Sequence, residues 1–175
     1  TYTLIDLRTD GTDGELATYY AMNANAGSTT VTVTWDADPG FGVFAVHEAS
    51  GADTSAALDQ HTTAIANAPG TGANAITTGN VTTTTAGQYI FGVVYDKSGG
   101  AGTLTAGSGY TERESEEAIG SSEDQVQGGA GSIAVTFTTD TGFDNYLVAI
   151  ATFKAAGGAA APAVKKLLTV LGVGR

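Results

Sequence analysis

The chain has no cysteine, three prolines, one methionine and one tryptophan among its 175 residues. Without cysteine there is no disulfide framework, no thiolate metal site and no thiol nucleophile, so stability must come from packing and sheet hydrogen bonding. Charge is scarce and lopsided: 14% of residues are charged, with seven bases against 18 acids and a net charge of −11. Binding to a phosphate backbone needs concentrated Lys and Arg, so nucleic acid is excluded as a partner. No apolar run reaches the roughly 18 residues that cross a bilayer as a helix, which predicts a soluble chain without a transmembrane segment.

Glycine and threonine fill the space left by charge, at 25 and 28 residues. Runs of β-branched and aromatic residues at period two recur between Gly, Asn, Asp and Pro clusters, the pattern of an all-β protein. The cleanest run is 29–35, where Thr30, Thr32 and Thr34 alternate with Val31, Val33 and Trp35. Further strands are predicted at 2–7, 16–22, 41–47, 89–95, 133–138 and 146–153, with weaker ones at 61–66, 74–77, 110–114 and 123–127. Asp10-Gly11-Thr12-Asp13-Gly14, Asp38-Pro39-Gly40, Ser98-Gly99-Gly100 and Gly128-Gly129-Ala130-Gly131 supply turns. The expected fold is a two-sheet antiparallel β-sandwich, jelly-roll-like, over residues 1–154, with a C-terminal extension. A faint duplication accompanies it. Gly27-Ser28, Val31-Thr32-Val33-Thr34, Asp36 and Gly40-Phe41 recur as Gly131-Ser132, Val135-Thr136-Phe137-Thr138, Asp140 and Gly142-Phe143. Each copy reads as strand, turn, strand.

The C-terminal end changes character. Residues 155–163 are an Ala/Gly/Pro linker. Residues 164–175 carry Val164, Leu167, Leu168 and Leu171 at helix-face spacing, with Val170 and Val173 beside them and three bases. An apolar, basic tail on a linker predicts a docking peptide, whereas a terminal strand packed on its own domain is the plainer alternative. Charge divides at the same place: residues 1–153 hold all 18 acids and three bases, a net −15, while residues 154–175 hold four bases and no acid.

Tyr19-Tyr20-Ala21-Met22-Asn23 leading into 27–35, then His47-Glu48-Ala49-Ser50-Gly51-Ala52-Asp53-Thr54, Thr78-Gly79-Asn80-Val81-Thr82, Ala106-Gly107-Ser108-Gly109-Tyr110 and Glu123-Asp124-Gln125 resemble a β-sandwich domain of bacterial surface or secreted proteins and phage structural proteins. The resemblance covers about residues 1–155 and carries no catalytic motif. It implies further strands ahead of Tyr2-Thr3-Leu4, and an open sheet edge there would invite pairing with another chain.

Chemistry-bearing residues are few. His47 lies in an apolar run and reads as a packed or strand-end residue; His61 lies among threonines, and no G-x-S-x-G elbow is present. Glu48 with Asp53, or Glu112, Glu114, Glu116 and Glu117, are the carboxylates a glycosidase would draw on, but the Glu-rich stretch reads better as a charged strand that blocks edge pairing. Asp10, Asp13 and Glu15 on a Gly-containing loop are the favoured calcium ligands, ahead of Asp36 with Asp38 and Asp140 with Asp144; Asx-turns are the plainer reading of each. No other cofactor is expected. Tyr20, Trp35, Tyr95 and Tyr110 are the glycan-binding candidates, although alternation puts Trp35 on the inner face with Val31 and Val33. These features predict a non-enzymatic structural and interaction protein, displayed outside a cell or on a virion and tethered by its tail, with protein partners and a homo-oligomeric or larger assembly. A secreted carbohydrate-binding or adhesive module is the alternative.

Overall fold

A computed structural model describes residues 1–11, 14–24, 30–36, 42–68, 74–96, 102–116, 119–140, 143–157 and 163–165. The described chain is all-β, with no helix and several antiparallel sheets. The strands are β1 (Thr3–Thr9), β2 (Glu15–Tyr20), β3 (Glu48–Ser50), β4 (Leu58–Ala68), β5 (Asn74–Thr77), β6 (Val81–Thr82) and β7 (Gln88–Asp96). They continue with β8 (Leu104–Ala106), β9 (Thr111–Glu116), β10 (Gly120–Gln127), β11 (Ser132–Ile133), β12 (Thr136–Thr139), β13 (Phe143–Phe153) and β14 (Ala163–Lys165).

The largest sheet has five strands in the order β4-β13-β7-β10-β9. Its inner strands explain their own sequence. Gln88–Asp96 is buried at every position but Phe91, the near-continuous apolar character of a strand covered on both faces. Alternation divides the two faces. Ile90, Val94, Tyr146, Val148 and Ile150 join Ile76, Leu104, Val135 and Phe137 in one cluster, which brings in the second sheet, β5-β12-β8. Val93, Tyr95, Leu147 and Ala149 join Leu16 of β2 in another, capped by Val43 and Ala45.

Gly92 sits under close packing on the first face. A Cβ there would lie 2.5 Å from Val135 Cγ2 and 3.0 Å from Glu123 Cγ, so only glycine lets Val135 and the Glu123 stem close over the centre of β7. Gly92→Ala is expected to destabilise the fold by about 2 kcal/mol through this overpacking, read as a lower denaturant midpoint with an unchanged slope.

Two expected strands do not form. Residues 30–35 have no ladder partner, although the alternation survives in part: Val31 and Val33 are half-buried while Thr30, Thr32 and Thr34 are exposed. Trp35, placed inside by that alternation, is 37% exposed. Residues 42–47 likewise form no strand, because they pack over the face of the large sheet rather than beside an edge. The sheet's edge strands are β4 and β9. The duplication is therefore not carried into matching hairpins among the described residues. The predicted 133–138 strand divides into β11 and β12. Of the linker, Ala155 bridges Ala52 and the Ala156 amide donates to Gly51 O at 2.8 Å. Beyond it, β14 pairs with β3, Val164 opposite Ala49 and Lys165 opposite Glu48.

Candidate functional site

Strand β10, with the sequence GSSEDQVQ, is polar yet buried from Gly120 to Asp124. A polar inner strand must find partners for its side chains, and each face of β10 does so differently. On the face toward residues 42–47, Ser122 and Asp124 meet His47. The His47 ring places Nε2 3.0 Å from Ser122 Oγ and Nδ1 2.8 Å from the Tyr89 hydroxyl, with Asp124 Oδ2 3.5 Å from Nδ1. Phe91 packs against the imidazole edge to face, with centroids 4.8 Å apart and planes at 83°. Arg113 completes the cluster, donating from Nε to Asp124 Oδ2 at 2.7 Å and from Nη2 to Oδ1 at 2.9 Å.

A bulge aims Arg113. In the β9-β10 ladder Ser122 pairs with Glu114 and Glu123 with Glu112, so Arg113 is the extra residue and its side chain turns over the sheet edge toward Asp124. The hydrogen bonds form a consistent chain: Ser122 O–H donates to Nε2, Nδ1–H donates to the Tyr89 oxygen, and the Tyr89 hydroxyl donates to Asp124 at 3.3 Å. This tautomer follows from the network. Burial works against ionisation of Asp124, but contacts from His47 and Arg113 hold its carboxyl below the usual value. Burial, reinforced by the Asp124 charge, raises the Tyr89 phenol far above its ordinary range.

Ser122, His47 and Asp124 have the connectivity of a serine nucleophile with its base and orienting acid. Ser122, however, is 1% exposed, which leaves a substrate carbonyl no approach to Oγ. The cluster instead fastens the 42–47 segment to the sheet. Its members span residues 47 to 124, and no local motif announces them. The available signal was Ser122 and Asp124 at period two in a stretch without an apolar face.

The opposite face of β10 holds Glu123, fully buried, its carboxylate accepting from Gly107 N at 2.7 Å and Thr136 N at 3.3 Å. Burial pushes this carboxyl up to about 7, against the pull of those two amides.

The other candidates are dispersed. In the 10–14 turn, Asp10 Oδ1 accepts from Gly14 N, four residues on, at 3.0 Å and Asp10 N donates to Gly14 O, while Gly11 takes a φ of +85°. Glu15 is half-buried at the start of β2, and Asp13 lies outside the described residues, as do Asp38 and Glu117. Among the described residues no group of three or more His, Cys, Asp or Glu is placed to hold a metal ion. Asp53 caps its own turn through Ser55 N, Ser55 Oγ and Ala56 N, which lowers it to about 2, and Asp140 accepts from Thr103 N. His61 pairs with Asp6 at 2.7 Å on the surface. Glu112 and Glu114 lie on β9, the edge strand, where a charged strand was expected. Of the aromatics, Tyr95 and Tyr110 belong to core clusters on opposite faces of the large sheet, and the Tyr110 hydroxyl donates to Ala134 O. Tyr20 stacks at a tilt on Phe153, 6.0 Å away, and Trp35 is the one of the four with large exposure. The docking residues Leu167, Leu168, Val170, Leu171 and Val173 lie outside the described residues.

Among the described residues the largest apolar exposure was not among the expected sites. In the β1-β2 ribbon Leu4 pairs with Tyr19 and Leu7 with Ala17, the register shifting between Leu4 and Asp6. Strict alternation would put Leu4 and Leu7 on opposite faces; the bulge brings both to the outward one. Tyr2, Leu4, Leu7 and Tyr19 are 53%, 48%, 52% and 57% exposed there, while Leu16 on the other face is fully buried. No family model, curated protein or solved structure matches the chain.

Proposed function

We propose that this protein is a non-enzymatic structural and interaction module, a jelly-roll-like β-sandwich displayed on the exterior of an assembly such as a virion surface or a cell-surface fibre and tethered through its C-terminal tail. The observation that carries this reading is the outward face of the β1-β2 ribbon, where Tyr2, Leu4, Leu7 and Tyr19 stand about half exposed. Clustered exposed apolar side chains mark protein contact surfaces. The acidic body and the basic, apolar tail supply a second reason to expect attachment. The Ser122-His47-Asp124 arrangement favours the same side, since its hydrogen bonds are spent on holding a segment in place. Deleting residues 157–175 is expected to abolish incorporation into the assembly while leaving the melting temperature of the remaining chain within a few degrees of the full protein. Undiminished incorporation would defeat the tether.

A secreted carbohydrate-binding or adhesive module is the second reading, favoured by the exposure of Trp35, since aromatic rings on a surface offer stacking platforms. A glycan-array signal that disappears with Trp35→Ala would decide for it.

A further inference from the structure

We propose that β1 is a self-pairing edge: the β1 strands of two copies of this chain join antiparallel about a twofold axis at Leu7, which runs the two ribbons together as one sheet in the order β2-β1-β1-β2. This builds on the reading of the ribbon as a contact surface and names a second copy as the partner there.

Placement leaves the strand open. Leu16 of β2 packs with Leu147 and Ala149, and Tyr20 stacks on Phe153, so β2 lies over β13. Asp6 of β1 reaches His61 of β4, the edge strand of the large sheet. Strand β1 is therefore the rim of its layer, and among the described residues only β2 pairs with it. An open edge of backbone donors and acceptors is a template for a further strand.

Backbone phase decides which residues offer hydrogen bonds along that edge. Asp10 N donates to Gly14 O, so the planar trans peptide that carries it turns the Thr9 carbonyl away from β2. Alternation then points the N–H and C=O of Leu7 outward as well, and those of Asp6 and Arg8 toward β2. Antiparallel self-pairing must match outward residues with outward residues, which puts the axis on a residue rather than between two.

Charge selects the residue. Asp6 and Arg8 lie two apart beyond the bulge and share one face. With the axis at Leu7, each Asp6 stands opposite the Arg8 of the other copy, whereas an axis one residue to either side opposes like charges. Both groups have capacity for the contact. No ion pair involves Arg8 among the described residues, its Nε is buried without a hydrogen-bond partner, and Asp6 engages His61 through Oδ2, leaving Oδ1. The edge strand β9 is the contrast, since the same pairing there would set Glu112 against Glu114. On the outward side the two Leu7 side chains meet at the axis, and Leu4 and Tyr19 extend the apolar face on each flank.

Sedimentation velocity of the full chain across a concentration series tests this. Wild type is expected to form a dimer, and Asp6→Arg or Arg8→Asp alone to weaken it by about tenfold or more, because each sets like charges across the axis twice. The double variant Asp6→Arg/Arg8→Asp should recover the dimer, and a one-to-one mixture of the two single variants should associate although neither does so alone. Leu7→Pro removes the outward N–H and should abolish the dimer while the melting temperature stays close to wild type, since proline is tolerated where an edge N–H faces solvent. Deleting residues 157–175 should leave this dimer in place, so loss of the tether and loss of the ribbon contact are read separately. A wild type that stays monomeric, or a folded Leu7→Pro protein that still dimerises, overturns the self-pairing edge. Single reversals that dimerise like wild type, or a double variant and a mixture that both stay monomeric, overturn the axis at Leu7.

Discussion

Asp124→Ala is expected to lower the free energy of unfolding by about 3 kcal/mol, among the largest single-residue losses in the protein, because it removes the acceptor on which three buried or half-buried donors converge. Asp124 is 3% exposed and receives the Arg113 fork as well as the Tyr89 hydroxyl. Without it, Tyr89 is left buried with an unmatched hydroxyl and the His47 ring loses its nearest negative charge. The loss should be local before it is global. Amide exchange in 42–47 should accelerate more than in β13, since that segment has no ladder and relies on His47 for its attachment. Denaturant titration with exchange mass spectrometry reads both effects. Because the Asp124 carboxyl is held below its usual value, its contribution is present at neutral pH and is lost as pH falls through that lowered value.

Glu123 produces the opposite pH dependence. Burial raises its carboxyl from the ordinary 4.5 to about 7, so between those values the folded protein holds a proton that the unfolded chain has released. Its stabilising contribution is complete below pH 4.5 and disappears as pH rises through 7. A shift of that size corresponds to about 3 kcal/mol. Glu123→Gln retains an oxygen for the Gly107 amide and removes the titration. Wild type should therefore lose stability between pH 5 and pH 8, and Glu123→Gln should be nearly flat over the same interval and the more stable of the two at pH 8. Urea midpoints at the two pH values check this; parallel losses in both proteins would place the titrating group elsewhere. Since Glu123 joins β10 to the turn after β8 and to β12, the weakening above neutrality should appear first between the five-stranded and three-stranded sheets.

The sequence made the inner strands legible and hid the sites. Residues 89–95 and 146–153 are long and apolar enough to be read without a partner, and they form the cores of β7 and β13. Residues 30–35 and 42–47 show what pattern alone cannot supply: alternation states which side chains turn inward, whereas a strand also needs a neighbouring backbone, which only the tertiary fold provides. Trp35 ends up exposed for that reason. The polar cluster was illegible because it depends on the register of β10 against β7 and on the bulge at Arg113. The apolar ribbon face escaped notice for a related cause, a bulge between Leu4 and Asp6 that makes a spacing of three behave as a spacing of two. The charged edge strand was foreseen, because its glutamates at 112 and 114 needed only solvent.

The central claim is that this chain works by assembling through its tail, and sedimentation velocity of the full protein beside a 157–175 deletion, across a concentration series, measures it directly. The full protein should form concentration-dependent oligomers that dissociate in high salt, and the deletion should sediment as a folded species no larger than the ribbon-paired dimer that loses only the short β14-β3 pairing. Identical boundaries for both proteins at every concentration would contradict it.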